Sequence, residues 1–232
     1  MNPLFKSRGI IVSCQAYPGD PMYDESSMLN MARAAEQGGA IGIRANGERD
    51  IRNIARNVSI PVIGLIKRNI PGSEIYITPA WEDAEAIIAA GAKIVAMDVT
   101  MREHRNEIVR HMIHNIHACG ALVMADVSTL EEGIMAERLG ADYVSTTLSG
   151  YTSYSLQLEG PDIALVAKLC KRLEVPVIAE GRIWTPEDAV KALEAGAEYV
   201  VVGSAITRPE QITARFAQQA LTYLMQGKAA SR

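Results

Sequence analysis

The chain is poor in residues that mark specialised chemistry or location. Its 232 residues include only three cysteines, Cys14, Cys119 and Cys170. Wide spacing and an odd count suggest neither a disulfide framework nor a zinc knuckle. No apolar run reaches the roughly 20 residues that cross a bilayer, and residues 1–8 lack the apolar centre of a signal peptide. Basic residues form no long run, and the net charge is −4. Nucleic-acid binders carry a concentrated basic face, so that class is disfavoured. The expected compartment is the cytoplasm, with no nucleic-acid or membrane partner.

What is present describes a globular α/β protein. Apolar residues make up 48% and charged residues 22%, which excludes disorder. The length suits one closed α/β barrel of roughly 200–250 residues and is short for two ordinary catalytic domains. Short β-rich apolar runs recur at 9–16, 40–45, 61–67, 93–100, 122–128, 143–148, 175–182 and 199–207. They lack strict alternation, as in parallel strands covered on both sides. Between them, 27–37, 81–90, 131–139 and 186–195 carry apolar residues at three- and four-residue spacing, the mark of helices with one buried face.

The joints repeat. Four helices end in a glycine-alanine step before a strand: Gly39-Ala40, Gly91-Ala92, Gly140-Ala141 and Gly196-Ala197. Glycine there can take the left-handed conformation that closes a helix. Asp24, Thr78-Pro79, Thr129 and Thr185-Pro186 offer N-cap oxygens. Eight strands alternating with eight helical segments predict a (β/α)8 TIM barrel spanning residues 1–232 as one domain. An open doubly wound sheet is the structural alternative.

In such a barrel the chemistry sits at the C-terminal strand ends. There the sequence offers Ser13-Cys14-Gln15, Arg44, Lys67-Arg68, Asp98, Asp126, Thr146-Thr147, Glu180-Gly181-Arg182 and Gly203-Ser204. Gly181, Gly203 and Ser204 would let backbone N–H groups approach a phosphate, with Arg182 and Arg208 adding charge-assisted contacts. Lys67 can act as a proton-transfer base, a Schiff-base nucleophile or an electrostatic anchor. Glu180 is the second acid–base candidate. A lysine and a carboxylate across one small rim suit proton abstraction beside a carbonyl. His104, His111, His114 and His117 fall in one helical segment without carboxylates at ligand spacing, so no metal site is expected. Cys14 has no histidine partner and is not expected to be a nucleophile. The loop 149–160, with Tyr151 and Tyr154, is a candidate lid.

The rim residues have a recognisable order. The segments Val12-Ser13-Cys14-Gln15-Ala16, Gly64-Leu65-Ile66-Lys67-Arg68, Tyr76-Ile77-Thr78-Pro79 and Met124-Ala125-Asp126-Val127-Ser128-Thr129 lead in the first half. They continue as Thr147-Leu148-Ser149-Gly150-Tyr151-Thr152, Ala179-Glu180-Gly181-Arg182-Ile183 and Val202-Gly203-Ser204-Ala205-Ile206-Thr207-Arg208-Pro209. Together these segments resemble the N-acetylmannosamine-6-phosphate 2-epimerase family, within the ribulose-phosphate-binding barrel superfamily. The resemblance implies interconversion of N-acetylmannosamine 6-phosphate and N-acetylglucosamine 6-phosphate in sialic-acid breakdown, with no metal or organic cofactor. By motif it implies that Lys67 moves the C2 proton and that Glu180 assists ring opening and proton transfer. Gln15, Arg44 and Asp126 would bind the sugar, and Gly181, Arg182, Gly203, Ser204 and Arg208 the phosphate. One loop departs from the family's Asp-x-Thr-x-Arg-x-Arg-Pro: here Asp98-Val99-Thr100-Met101-Arg102 runs into Glu103-His104-Arg105-Asn106. A lyase using Lys67 as a Schiff base and a phospho-sugar sensor are the competing classes. Superfamily barrels commonly pair, and residues 211–225 carry apolar surface enough for a homodimer contact.

Overall fold

The computed structural model describes residues 4–101 and 105–230, with side chains through Gln226. Its eight strands are β1 (Gly9–Cys14), β2 (Gly42–Asn46), β3 (Val62–Leu65), β4 (Ile94–Asp98), β5 (Leu122–Asp126), β6 (Tyr143–Ser145), β7 (Val177–Glu180) and β8 (Tyr199–Val202). Every neighbouring pair is parallel, and β1 pairs with β8 to close the barrel. Around it run α1 (Ser27–Gln37), α2 (Glu48–Ala55), α3 (Trp81–Ala89), α4 (Arg105–Ala118), α5 (Leu130–Leu139), α6 (Ile163–Arg172) and α7 (Pro186–Glu194). A short α8 (Ser204–Thr207) and a long α9 (Pro209–Ala230) follow the last strand. The fold is a (β/α)8 TIM barrel; the open-sheet alternative is excluded by the β1–β8 pairing.

The glycine-alanine joints are one device used five times, Gly120-Ala121 being the fifth. Each glycine has φ between +74° and +109°, a region costly for residues with a Cβ. Each following alanine donates its N–H to a carbonyl five residues back, such as Ala141 to Ala136 at 3.0 Å. That is the 6→1 bond of a Schellman closure, and the alanine then drops into the core. At the opposite ends, Thr129 and Thr185 form full capping boxes with Glu132 and Asp188. Asp24 accepts the N–H groups of Ser26 and Ser27, both at 2.7 Å.

Two expectations are corrected. Thr78 caps no helix: α3 begins at Trp81, and Asp83 accepts the Ala80 N–H at 3.1 Å. Thr78 instead sits at φ +45° and donates its hydroxyl to the Ala96 carbonyl at 2.6 Å. The cause is an antiparallel bridge between Lys67 and Ile77, which draws this segment into the barrel mouth. The run 199–207 is not all strand. β8 stops at Val202, and Ser204–Thr207 turns into helix, with the Thr207 hydroxyl tied to the Ser13 carbonyl at 2.8 Å.

Two apolar cores follow from strand alternation. One lies between strands and helices and includes Cys14, Ile43, Met97 and Val144. The other fills the barrel and includes Ile11, Ile63, Ile94, Met124, Ile178 and Val201. Phe5 plugs the bottom of the interior against Tyr199 and Tyr143, at ring-centroid distances of 4.7 and 5.9 Å. A Cβ on Gly42 would stand 2.7 Å from that ring, so glycine is required for the plug to fit.

Candidate active site

The polar layer stands above the apolar interior at two-residue steps. Arg44 follows Gly42, Asp126 follows Met124, Glu180 follows Ile178, and Lys67 follows Ile63 and Leu65. Because alternate strand residues share a face, eight strands aim their last inward residues at one mouth.

At its floor lies an ionic cluster. The Arg44 guanidinium, 1% exposed, donates to Asp126 Oδ2 at 2.5 Å and to Glu180 Oε1 at 2.9 Å. Burial disfavours its charge, but the two carboxylates more than offset that and raise its pKa. Burial also pushes the Asp126 carboxyl upward, with Arg44 and the Thr147 hydroxyl opposing and Glu180 adding to the rise. Thr147 Oγ1 lies 2.6 Å from Asp126 Oδ1 and 3.0 Å from Glu180 Oε2. Its single proton can serve only one carboxylate at a time.

Lys67 enters from the β3 side. Its backbone N–H donates to Asn46 Oδ1 at 2.9 Å, and its Nζ donates to the Tyr17 hydroxyl at 2.7 Å. Burial, together with the Arg44 and Arg208 charges, lowers the ammonium from its ordinary 10.5 to about 8 against the pull of Glu180 and Asp126. An appreciable share is therefore neutral near pH 7–8, as a proton-abstracting base requires.

The opposite wall carries the glycine turns. Gly181 and Arg182 both have positive φ, +111° and +55°. Arg182 donates to the carbonyls of Gly160 and Ser149, both at 2.8 Å, and lies 5.4 Å from the Tyr151 ring. Much of its fork thus tethers the candidate lid. Arg208 donates to Asp20 Oδ2 at 3.1 Å and lies 5.0 Å from the centre of the Tyr17 ring.

One cavity of about 730 Å³ is lined by Gln15, Lys67, Glu180, Gly181, Arg182, Gly203, Ser204 and Arg208, eight of the ten residues expected from sequence. Arg44 and Asp126 do not line it; they lie beneath Glu180, buried. Tyr17, also on the wall, was missed. Its signal was the inward alternation Ile11, Ser13, Gln15, Tyr17, which continues past the end of β1. Tyr76, whose ring lies 5.9 Å from Lys67 Nζ, left no such signal, since the Lys67–Ile77 bridge brings it there. His111, His114 and His117 are exposed on α4, with His117 paired to Asp142 at 2.8 Å. His104 lies outside the described residues, as do Arg102 and Glu103 of the divergent loop. Among the described residues no His, Cys, Asp or Glu group is arranged to hold a metal. Cys14 is buried in the outer core, its thiol pushed up to about 12 by burial, so it stays protonated and unreactive.

Comparison with known proteins bears on this geometry. Residues 28–221 match the family described as "Putative N-acetylmannosamine-6-phosphate epimerase". A protein of Caldanaerobacter subterraneus subsp. tengcongensis named "Putative N-acetylmannosamine-6-phosphate 2-epimerase" is 55% identical over 213 residues, covering 90% of this chain and 89% of that protein. One of the same name from Clostridium perfringens is 52% identical over 208 residues, covering 89% and 94%. A solved structure of the N-acetylmannosamine-6-phosphate 2-epimerase from Clostridium perfringens superposes with a TM-score of 0.87 at 50% identity, covering 90% of this chain and 92% of that one. On fold, strand-end residues and these similarities together, the chain belongs to the N-acetylmannosamine-6-phosphate epimerase family.

Proposed function

We propose that the protein is an isomerase that interconverts N-acetylmannosamine 6-phosphate and N-acetylglucosamine 6-phosphate, by removing the C2 proton and returning it on the other face, in amino-sugar (N-acetylneuraminate) breakdown. The observation that carries this reading is Lys67, a half-buried lysine with its pKa lowered to about 8, on the wall of the same cavity as Glu180. In the open-chain aldehyde the C2 hydrogen is acidic, because the resulting anion spreads onto the carbonyl oxygen. Lys67 takes that proton, and Glu180 assists ring opening and proton transfer. Arg44 and Asp126 act from beneath by fixing Glu180, while Gln15 contacts the sugar. Gly181, Arg182, Gly203, Ser204 and Arg208 receive the phosphate on the opposite wall. Proton transfers alone complete the reaction, so no metal or organic cofactor enters the scheme. A cavity of about 730 Å³ is of the size that holds small ligands.

The test is proton NMR of N-acetylmannosamine 6-phosphate with the purified protein in D2O. The expected result is conversion to the gluco epimer with deuterium at C2. Substrate binding without conversion would overturn the reading. The low pKa of Lys67 also favours a second one, a Schiff-base lyase on a phosphorylated sugar. Borohydride added with substrate would trap a covalent adduct in the lyase and none in the epimerase.

The protein also pairs, in this reading, as a homodimer through α9. From Thr213 to Gln226 every residue of that helix is exposed, including Phe216 at 75% and Tyr223 at 76%. Apolar surface of this extent marks an interaction site. Light scattering should give twice the monomer mass, and Phe216→Glu with Leu224→Glu should return the monomer. A monomeric native protein at micromolar concentration would refute the pairing. No helix of the described residues is long and apolar enough to cross a membrane.

A further inference from the structure

We infer that Tyr17 is a positioning residue for Lys67: its hydroxyl holds the lysine nitrogen at the cavity wall, and its ring joins that nitrogen to the Arg208 side of the site. The inference rests on the epimerase reading for the reaction it serves.

The polarity of the contact follows from its neighbours. The Tyr17 hydroxyl donates to Gln15 Oε1 at 3.0 Å, and Gln15 Nε2 donates to Ser13 Oγ at 2.7 Å. With its one proton given to Gln15, the phenol oxygen faces Lys67 as an acceptor. Burial raises the Tyr17 pKa, so the phenol keeps that proton. The backbone of Tyr17 is anchored as well, its N–H donating to Asp20 Oδ2 at 2.8 Å. The same Asp20 oxygen accepts from Arg208 at 3.1 Å. One ring therefore stands 5.4 Å from Lys67 Nζ and 5.0 Å from the Arg208 guanidinium, with one carboxylate locking ring and arginine together.

A free lysine is a flexible four-carbon stem with freely rotating donors. Catalysis needs its nitrogen held within a fraction of an ångström, since a misplacement of about 1 Å can cost about 100-fold. The groups facing Lys67 are Tyr17, Tyr76, Arg44, Arg208, Glu180 and Asp126. Of these, the Tyr17 hydroxyl accepts a hydrogen bond from Nζ, at 2.7 Å. Because the phenol accepts from the ammonium, it favours the charged lysine, and removing it moves the lysine titration to lower pH.

Tyr17→Phe keeps the ring and deletes the hydroxyl; Tyr17→Leu deletes both. Two readouts are needed. The first is kcat and KM for N-acetylmannosamine 6-phosphate across pH. The second, free of substrate, is the pH dependence of Lys67 acetylation by trace acetic anhydride, followed by mass spectrometry. For Tyr17→Phe we expect kcat to fall about 10-fold or more, with KM within about 3-fold because the ring beside Arg208 remains. The lysine titration should move down by about half a pH unit or more in both readouts. Tyr17→Leu should in addition raise KM. A Tyr17→Phe protein with native kcat and an unshifted acetylation profile would overturn the inference. If the native protein failed to convert the sugar while the acetylation profile still shifted, the epimerase reading would fall and the placement of Lys67 by Tyr17 would stand.

Discussion

Lys67→Met is expected to abolish deuterium incorporation at C2 while slightly raising the melting temperature at pH 7. General acid–base groups contribute about 10²–10⁴-fold in rate, and with the lysine gone the remaining rate should fall by that factor. The pH dependence of the native protein follows from the same side chain. With a pKa of about 8 instead of 10.5, roughly one molecule in 10 carries neutral lysine at pH 7, against roughly one in 3,000 for an unshifted group. The base-dependent limb of kcat/KM should therefore rise with pH and level off above about 8. The lowered pKa also means that the native state binds fewer protons than the unfolded chain between about pH 8 and 10.5. Native stability accordingly rises with pH across that window, and below it the charged lysine is a standing cost. Methionine removes the cost, so its melting curve should lose this alkaline rise. The gain is small because Lys67 is only partly shielded from water. A mutant that still exchanges C2 at the native rate would remove Lys67 from the mechanism.

Arg44→Met should be the most destabilising single change in the polar layer. The guanidinium is the cation bonded to both Asp126 and Glu180, at 2.5 and 2.9 Å, and the Asp126 side chain is fully buried. Removing one partner of a buried ion pair leaves uncompensated charge and costs about 3–5 kcal/mol. At about 2–4 °C per kcal/mol for a chain of this size, the melting temperature should drop by roughly 6–20 °C. The loss should be smaller at pH 5.5 than at pH 8, because at lower pH a buried carboxyl can take up a proton in place of the missing cation. Arg44→Lys restores a charge but not the two-pronged geometry, and it should recover part of the stability. Thermal melts of the three proteins at both pH values decide this; equal losses at the two pH values would show that the carboxylates do not depend on Arg44.

How far the site was legible in the sequence depends on the kind of residue. Glu180 and Lys67 could be found because each ends a run of apolar residues, and in a parallel barrel the end of such a run is the rim. Gln15, Gly181 and Gly203 follow from the same rule. Tyr17 sits one step beyond, where the strand has ended but its alternation has not, so attention to the period would have reached it. Tyr76 could not be found this way. It approaches Lys67 through a bridge between residues 67 and 77, and no local pattern announces a contact made by a loop folding back.

Depth was equally hidden. Arg44 and Asp126 have the same strand-end position as Glu180, and a linear reading gives all three the same access to a ligand. Only the closed barrel shows that the first two lie under the third, since depth depends on strand stagger and on how far each side chain reaches across the interior. Arg182 and Arg208 teach a related lesson: a cation near a glycine turn reads as free for a phosphate, yet here one ties down a loop and the other is shared with Asp20. The sequence by itself determined the alternation of strands and helices and their order, because periodicity, helix caps and glycine closures are local properties of the chain, whereas closure of the sheet into a barrel rests on the pairing of β1 with β8. Tertiary structure alone decided which polar groups touch one another, which are buried, and how far Lys67 is pushed from its ordinary pKa, because burial and electrostatic coupling depend on neighbours brought from distant parts of the chain.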